Sequence, residues 1–403
     1  MRGTTFYDFQ VEPKPDSCWD LHTGPDGRIY VSACCERLRG GIVHILRYNE
    51  ATDSLDHVLN VAEAVGEPAT SGRATQCKIH YGFAASAQDG ILYAATHLSA
   101  PGYGRKGYQH WGEWKTDSAF PCSYVVAYDT RRDAVAWTSP FIPREGCRCL
   151  AFDGQRQRLY AISYPRDHFW IFDIRTRTIR SLGRISSINS QALFTDRRGR
   201  VFTSNDQGQI VRYDPETDRL LELPVYVPFT PGMGGWHNVF YDVVGSPDGD
   251  CVYGVPWAAD PHLFRYWPED GPVGRIEDLG GAHQRRSPYV PMPFKFDHCG
   301  GLVFAADGNL YFCTTRWCEG TESDPERHRV EGVIVQFDPR TGRRSDFAKV
   351  TRTNGTAHYS SRAGRDGHGN LYFGMQGDPG PGMARLAMDA TGESLQFPLR
   401  TWG

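Results

Sequence analysis

The feature that most constrains the fold is a short phrase that occurs seven times along the chain. An apolar stretch leads into a turn that usually contains Asp or Gly, and an apolar run centred on Tyr or Phe follows, as in "GPDGRIYVSA", "AQDGILYAAT" and "AADGNLYFCT". The seven aromatic anchors are Tyr30, Tyr93, Tyr160, Phe202, Tyr253, Tyr311 and Tyr372. A repeat of this length indicates that the chain builds one structural unit seven times.

A second phrase follows each anchor, an apolar strand that ends in an aromatic residue and often Asp, as in "IVRYDPETDRL" and "VIVQFDPRTGR". Pieces such as "YDPETD" are typical of a tight turn between two antiparallel strands. Each unit therefore supplies about four short strands, with almost no helical periodicity. We predict an all-β fold, a seven-bladed β-propeller with four antiparallel strands per blade, as a single domain over residues 1–403. A β-sandwich is the alternative, but it does not explain a sevenfold repeat.

Propeller rings are usually closed by strands from both ends of the chain pairing with one another. "TTFYDFQV" near the start and "SLQFPLRTW" near the end are the two segments that we expect to do this.

The composition limits the classes of partner that we expect the protein to bind. The 403 residues carry a net charge of −3 and contain no basic run of the kind that nucleic-acid-binding proteins use, so we expect no nucleic-acid partner. No apolar segment is long enough for a transmembrane helix, and "MRGTTFYDFQVEPKPDS" lacks the apolar region of a signal peptide. We therefore expect a cytoplasmic protein without a membrane partner, whose eleven cysteines are reduced thiols.

Histidines recur at one position of the repeat. Strands one and two of a blade run in opposite directions, so the start of the first and the end of the second open on the same face, near the central channel. His80, His298 and His358 lie 13 or 14 residues before the anchors of blades two, six and seven, and His237 lies 16 residues before that of blade five. Such matched positions favour a functional site, although blade ends are also polar simply because they meet water.

Polar and aromatic residues recur at the other strand end as well. Four residues past the anchors stand His97, Tyr164, Asp206, Trp257 and Gln376, with Arg316 one residue further in blade six. The long insertion after His97 is rich in glycine and aromatic residues, and its Trp111 suits stacking on a sugar ring. The alternative is a loop that packs on its own aromatic residues.

These residues resemble those of a known group of enzymes. "KIHYGFAASAQDGILYAATH", followed by a glycine-rich loop and "YVVAYD", and then "LYAISYPRDHFWIFDIRTRTIRSLGRI", is similar to the seven-bladed propeller polysaccharide lyases. These include the ulvan lyases, the rhamnose–glucuronate lyases and, more distantly, the oligogalacturonate lyases. The resemblance covers most of the chain as a blade pattern and is sharper over residues 76–185. It implies β-elimination on a saccharide that contains a uronic acid.

The resemblance also implies roles for residues. His80, His97 and Tyr164 match the catalytic residues of the ulvan lyases, and which histidine is the base stays open. A neutral imidazole suits a base at neutral pH, and a tyrosine can give a proton where cations favour its ionised form. Because the substrate carboxylate must be neutralised, we expect Arg148 to bind it as a bidentate clamp, with Arg316 as second choice.

A metal ion is implied by the more distant relatives. The oligogalacturonate lyases hold a metal on histidines of later blades, which His237, His298 and His358 resemble. Three imidazoles favour zinc or manganese over calcium. The segment "NGTAHYSS" has one histidine where that family has a tighter cluster.

Three other functions stay open from the residues. The first is another sugar-active enzyme on the same scaffold, a hydrolase or an isomerase. A hydrolase would need paired carboxylates, and the matched face offers only Asp206. A calcium-dependent lactonase would need an oxygen-rich shell, whereas the matched positions are rich in histidine. An interaction propeller without catalysis would leave the histidine cluster without a purpose.

Overall fold

The computed structural model describes residues 1–36, 40–67, 75–98, 120–187, 190–228, 239–258, 261–282, 299–318 and 329–388. Within them the chain forms a ring of seven sheets, each with four antiparallel strands at its centre. This confirms the predicted all-β, seven-bladed propeller. The one helix in these residues, α1 (Val61–Ala64), is a single turn. No described helix is long and apolar enough to cross a membrane.

Two short strands precede the first blade. These are β1 (Arg2–Gly3) and β2 (Thr5–Asp8). Blade one consists of β3 (Leu21–Thr23), β4 (Ile29–Cys34), β5 (Val43–Asn49) and β6 (Ser54–Asn60). The region of blade two contains β7 (Gln76–Lys78), β8 (Phe83–Ser86), β9 (Ile91–Ala95), β10 (His97–Leu98), β11 (Cys122–Asp129) and β12 (Ala134–Pro143). Of these, β7 and β10 form a separate two-stranded sheet.

The later blades follow the same order. Blade three is β13 (Gly146–Asp153), β14 (Arg158–Tyr164), β15 (His168–Asp173) and β16 (Thr178–Arg184), and blade four is β17 (Phe194–Thr195), β18 (Val201–Ser204), β19 (Gln209–Asp214) and β20 (Arg219–Tyr226). Blade five is β21 (Phe240–Gly245), β22 (Val252–Pro256), β23 (His262–Trp267) and β24 (Arg275–Gly281). Blade six is β25 (Cys299–Phe304), β26 (Leu310–Cys318), β27 (Arg329–Phe337) and β28 (Arg344–Lys349), to which β1 adds in parallel. Blade seven contains β29 (Thr356–Arg365), β30 (Leu371–Asp378) and β31 (Gly382–Leu386).

The repeated phrase forms the core of each blade. All seven aromatic anchors lie in second strands and are at most 3% exposed. Several anchor hydroxyls turn back to the Asp of the preceding turn, at 3.0 Å from Tyr30 to Asp26 and 2.8 Å from Tyr311 to Asp307. The Asp of the phrase therefore satisfies the one polar atom of a buried tyrosine, which explains why the two residues recur together.

The turn between strands three and four has its own rule. Asp53, Asp133 and Asp218 follow Tyr48, Tyr128 and Tyr213 by five residues, and each accepts a hydrogen bond from its tyrosine hydroxyl. These aspartates have φ of 49°, 54° and 54°, a left-handed conformation that Asp tolerates better than most residues.

The ring is closed by the N-terminal strand, as predicted, but its described partner differs from the expected one. β2 pairs antiparallel with β31 and completes blade seven, with Thr5 opposite Arg385. "SLQFPLRTW" spans residues 394–402 and lies outside the described residues. β31 is the third strand of the blade and pairs with β30 along one edge, so its other edge is the one that offers hydrogen bonds to β2.

The middle of the channel contains a buried charge cluster. Arg362 of β29 donates to Asp242 at 2.8 Å, and Asp20 accepts the backbone N–H of Phe83 at 2.7 Å. The Arg362 guanidinium also lies over the Tyr81 ring, 4.4 Å from its centre. Below this cluster a cavity of about 310 Å³, lined by the inner strands of all seven blades, opens on the face of the Asp-Gly turns.

Candidate functional site

His80 lies on the face of the ring opposite the Asp-Gly turns, in the short segment between β7 and β8. Its imidazole is fully buried and stacks on Trp19, with ring centres 5.0 Å apart. Its Nδ1 lies 3.0 Å from the backbone oxygen of Arg148. A carbonyl oxygen only accepts, so Nδ1 carries the proton in this contact and Nε2 of the neutral ring has a free lone pair. Nε2 is buried and has no hydrogen-bond partner among the described residues.

The surroundings keep this imidazole neutral. Burial is the main cause, and the positive charges of Arg148 and Lys78 add to it, so that the pKa of His80 lies well below its ordinary 6.5. At neutral pH the ring is therefore able to accept a proton.

His80, His97 and Tyr164 form a row of three neighbouring rings, with His97 in the middle. His97 lies in β10, with its ring centre 5.8 Å from that of His80, and its Nδ1 donates to the Leu98 oxygen at 2.8 Å. Tyr164 ends β14 of the next blade, and its ring centre is 5.0 Å from that of His97. Tyr164 lies directly beside His97 and not across the channel mouth from it, because equivalent strand ends of neighbouring blades are adjacent around the ring.

Arg148 completes this group from β13. Its guanidinium carbon lies 5.5 Å from the centre of the Tyr164 ring, and the residue is only 8% exposed. Its Nε has no hydrogen-bond partner among the described residues, and no ion pair joins it to any of their carboxylates. A buried guanidinium without a protein carboxylate partner is available to an anionic ligand.

A second layer, which the repeat positions did not reveal, supports His80. Trp19 is held by its indole N–H, which donates to Glu36 at 2.8 Å, and Lys78 forms an ion pair with the same carboxylate at 2.8 Å. Burial alone would raise the pKa of Glu36, but Lys78 and Trp19 outweigh it and hold the pKa below its ordinary value. The His80 stacking partner is thus fixed by a buried salt bridge.

Two buried carboxyl groups beside Tyr164 were also missed. Asp167, in the turn from β14 to β15, and Glu145, just before β13, are both fully buried. Burial raises the pKa of Asp167 to about 7, against the charges of Arg148 and Arg184. The sequence "YPRDHF" gives no hint of this, because Asp167 is an ordinary turn residue until the ring assembles around it.

The other described candidates lie around the same face. The Gln376 amide bridges blade seven to blade one, donating to the Cys18 oxygen at 2.5 Å and accepting the Cys18 N–H at 3.3 Å. Trp257 packs near Tyr241, with ring centres 6.3 Å apart. His358, near the start of β29, lies beside Tyr359, and burial lowers its pKa.

Some candidates lie outside the described residues. These are Trp111, His237 and His298, and the side chain of Arg316, whose backbone belongs to β26. Among the described residues, no group of three or more His, Cys, Asp or Glu side chains is placed to hold a metal ion. Because His237 and His298 are not described, whether three histidines fit a metal stays a prediction.

Comparison with known proteins shows the fold. No protein-family model matches the sequence, and no curated protein is significantly similar to it. Solved structures that it resembles include the extracellular domain of the two-component system BT4673 from B. thetaiotaomicron, with a TM-score of 0.57 and 13% identity over 95% of this chain and 39% of that one. The chain thus spans about two fifths of that solved chain.

Two enzymes are among the similar structures. One is an inactive variant of virginiamycin B lyase from Staphylococcus aureus with quinupristin, with a TM-score of 0.53 and 8% identity over 96% of this chain and all of the other (100%). The second is Kuenenia stuttgartiensis hydrazine synthase, with a TM-score of 0.55 and 11% identity over 95% and 98% of the two chains. A mitotic checkpoint complex is also similar in fold, so the propeller by itself does not indicate an enzyme.

Proposed function

We propose that this protein is a lyase that cleaves a saccharide containing uronic acid by β-elimination. The observation that carries the proposal is the contact of four side chains at one channel mouth: the imidazoles of His80 and His97, the phenol of Tyr164 and the guanidinium of Arg148. These are a base, a proton donor and a carboxylate clamp, which is the set that β-elimination requires.

The reaction would proceed as follows. Arg148 binds the uronate carboxylate, and the proton on the carbon next to that carboxylate moves to an imidazole nitrogen. The electron pair of the broken C–H bond forms a double bond to C4, the C4–O bond breaks, and the leaving oxygen takes the Tyr164 proton. His80 and His97 both donate Nδ1–H to a backbone oxygen, so each carries a lone pair on Nε2. His80 is our first choice as base, because its acceptor is the backbone oxygen of Arg148, the proposed clamp.

Substrate binding would increase the basicity of His80. The positive charge of Arg148 is one of the causes that lower the His80 pKa. A carboxylate bound to Arg148 offsets that charge, so the His80 pKa rises when the base is needed.

The test is the ultraviolet absorbance of an unsaturated uronate product, measured with ulvan, rhamnose–glucuronate and oligogalacturonate oligosaccharides. His80→Ala, His97→Ala and Tyr164→Phe should each reduce kcat by about 10²- to 10⁴-fold. His262→Ala is the matched control, because His262 lies in β23 and pairs with Asp278 at 2.9 Å. Near-normal turnover in all three folded site variants would contradict the proposal.

A hydrolase is the second candidate, and one observation favours it. Asp167 and Glu145 are two buried carboxyl groups next to Tyr164, and a hydrolase uses such a pair as acid and base. The products separate the two reactions, since hydrolysis gives a new reducing end without a double bond.

A metal on His237, His298 and His358 is part of the proposal as a separate element. Zinc or manganese there would help to neutralise the uronate carboxylate. Elemental analysis of protein purified without a histidine tag, combined with activity in chelator, tests it. Absence of stoichiometric metal and unchanged activity would remove the metal and leave the lyase proposal intact.

A further inference from the structure

The carboxyl group of Asp167 is unusual in its surroundings. The residue is completely buried, and neither carboxyl oxygen has a hydrogen-bond partner among the described residues. It also forms no ion pair with any of them. A buried carboxylate without partners is costly for a folded protein, so such a group points to a ligand that completes it.

The position of Asp167 is fixed by the blade. Its backbone oxygen accepts the N–H of Ile185 at 3.0 Å, which joins the turn to the end of β16. Its φ is 52°, a left-handed conformation that sets the direction of the side chain. The residue follows Tyr164 by three positions, so a ligand at Tyr164 is also within reach of this turn.

The charges around Asp167 have both signs. Arg148 and Arg184 act on it as positive charges, and Asp206 and Glu145 act as negative ones. Glu145 is fully buried and forms an ion pair with the half-exposed Arg166. Arg148 is a second buried group with an unsatisfied polar atom, since it is 8% exposed and its Nε has no hydrogen-bond partner among the described residues.

We propose that Asp167, with Glu145 behind it, forms a subsite next to the Arg148 clamp that takes a neutral sugar and excludes a second anionic one. This inference rests on the proposed lyase function. The hydroxyl groups of a neutral sugar donate hydrogen bonds to the carboxyl oxygens of Asp167. A sulfate or a second uronate at the same place offers only acceptors and adds a like charge.

The size of the effect follows from simple electrostatics. Two like charges several ångströms apart in a partly buried site repel enough to change binding by roughly ten- to a hundredfold.

The experiment compares sulfated ulvan oligosaccharides with the same oligosaccharides after desulfation. We expect wild-type kcat/KM to favour the desulfated form by about tenfold or more. Asp167→Asn should lose most of this preference, because it keeps the shape of the side chain without its charge. Asp250→Asn is the charge-matched control: Asp250 is exposed, pairs with Arg197 on the face of the Asp-Gly turns, and should keep the wild-type ratio.

The outcomes separate this inference from the lyase proposal. Cleavage of both forms with equal efficiency, or an unchanged preference in folded Asp167→Asn, overturns the subsite and leaves the lyase standing. No cleavage of either form overturns the lyase and the subsite together. If Asp167→Asn does not fold, the wild-type preference alone decides, and a ratio near one overturns the inference.

Discussion

Among single residues, His80 shows how neighbours determine chemistry. Burial alone would keep the ring neutral, but Arg148 is both the acceptor of its Nδ1–H and one of the charges that lower its pKa. The same arginine is our proposed clamp. The proposed base and the proposed clamp are therefore coupled before any substrate is present.

Replacing Arg148 by Met should reveal this coupling. The acid limb of the kcat/KM profile, which reports the base of the free enzyme, should lie well below pH 6.5 in the wild type. Arg148→Met removes a positive charge and should move that limb upward, although it stays below 6.5 because burial is the larger cause. A pH–rate profile of the slow residual activity measures it, and a limb that does not move would contradict the coupling.

Single site residues could be predicted from the sequence where the repeat allowed equivalent positions in different blades to be matched. Counting from the anchors placed His80, His97 and Tyr164 at strand ends of one face, and these are the rings that meet in the structure. Asp167 and Trp19 could not be found in this way. Their importance lies in burial and in the hydrogen bonds that Trp19 makes and Asp167 lacks, and both properties appear only after distant blades pack together.

Among the strands, a recurring contact between neighbouring blades is an ion pair from an Arg of a third strand to an Asp of the next blade, which we call the clasp. Arg47 in the third strand of blade one binds Asp133 in blade two at 2.6 Å, and Arg385 in the third strand of blade seven binds Asp53 in blade one at 3.0 Å. Asp53 has an additional donor, because the Tyr7 hydroxyl of β2 reaches it at 2.6 Å. One carboxylate thus holds blade one to the two outermost strands of blade seven.

Asp53→Asn and Asp133→Asn form a matched pair that tests the clasp. Both positions need left-handed backbone, which Asn tolerates, and both lose one charged acceptor. Each change should cost about 1 kcal/mol of unfolding free energy, since these carboxylates are more than half exposed. Only Asp53→Asn should also speed hydrogen exchange in Thr5–Asp8, and equal exchange in the two variants would contradict the added role of Tyr7.

The strand pattern itself was predictable for a local reason. Asp-Gly turns, aromatic anchors and "YDPETD"-type turns act within about ten residues, a range over which turn chemistry determines the conformation. The partner of β2 was not predictable, since pairing across almost the whole chain depends on which edge remains free after blade seven forms. The extra sheet of β7 and β10 has the same origin, because it exists only where the segment around His80 leaves the blade pattern.

For the whole molecule, buried ionisable groups have opposing effects on stability. Burial lowers the pKa of His22 to about 4 and raises that of Asp20 to about 7. On acidification between pH 7 and 4 the unfolded chain gains protons on His22 more readily than the folded one, which destabilises the fold. Folded Asp20 binds its proton more readily than the unfolded chain does, which stabilises the fold over the same range.

The two contributions can be separated by mutation. His22→Gln removes the group through which acidification destabilises the fold. The midpoint of urea unfolding of this variant should therefore fall less between pH 7 and pH 5 than that of the wild type. Asp20→Asn removes the group through which acidification stabilises the fold, so the midpoint of this variant should fall more than that of the wild type. Urea unfolding of the three proteins at both pH values measures this, and shifts of the same sign in both variants would contradict the assignment.

The pairing of β2 with β31 has a consequence for how the protein is made. Residues 5–8 leave the ribosome long before their partner, residues 382–386, which is translated more than 370 residues later. During that interval blades one to six can form in order of synthesis, while the edge of the ring and the Asp53 carboxylate wait for β31. The nascent propeller is therefore an open arc with two unpaired edges, and a chaperone or ribosome-bound factor that covers those edges would act on this protein until residues 382–386 have been synthesised.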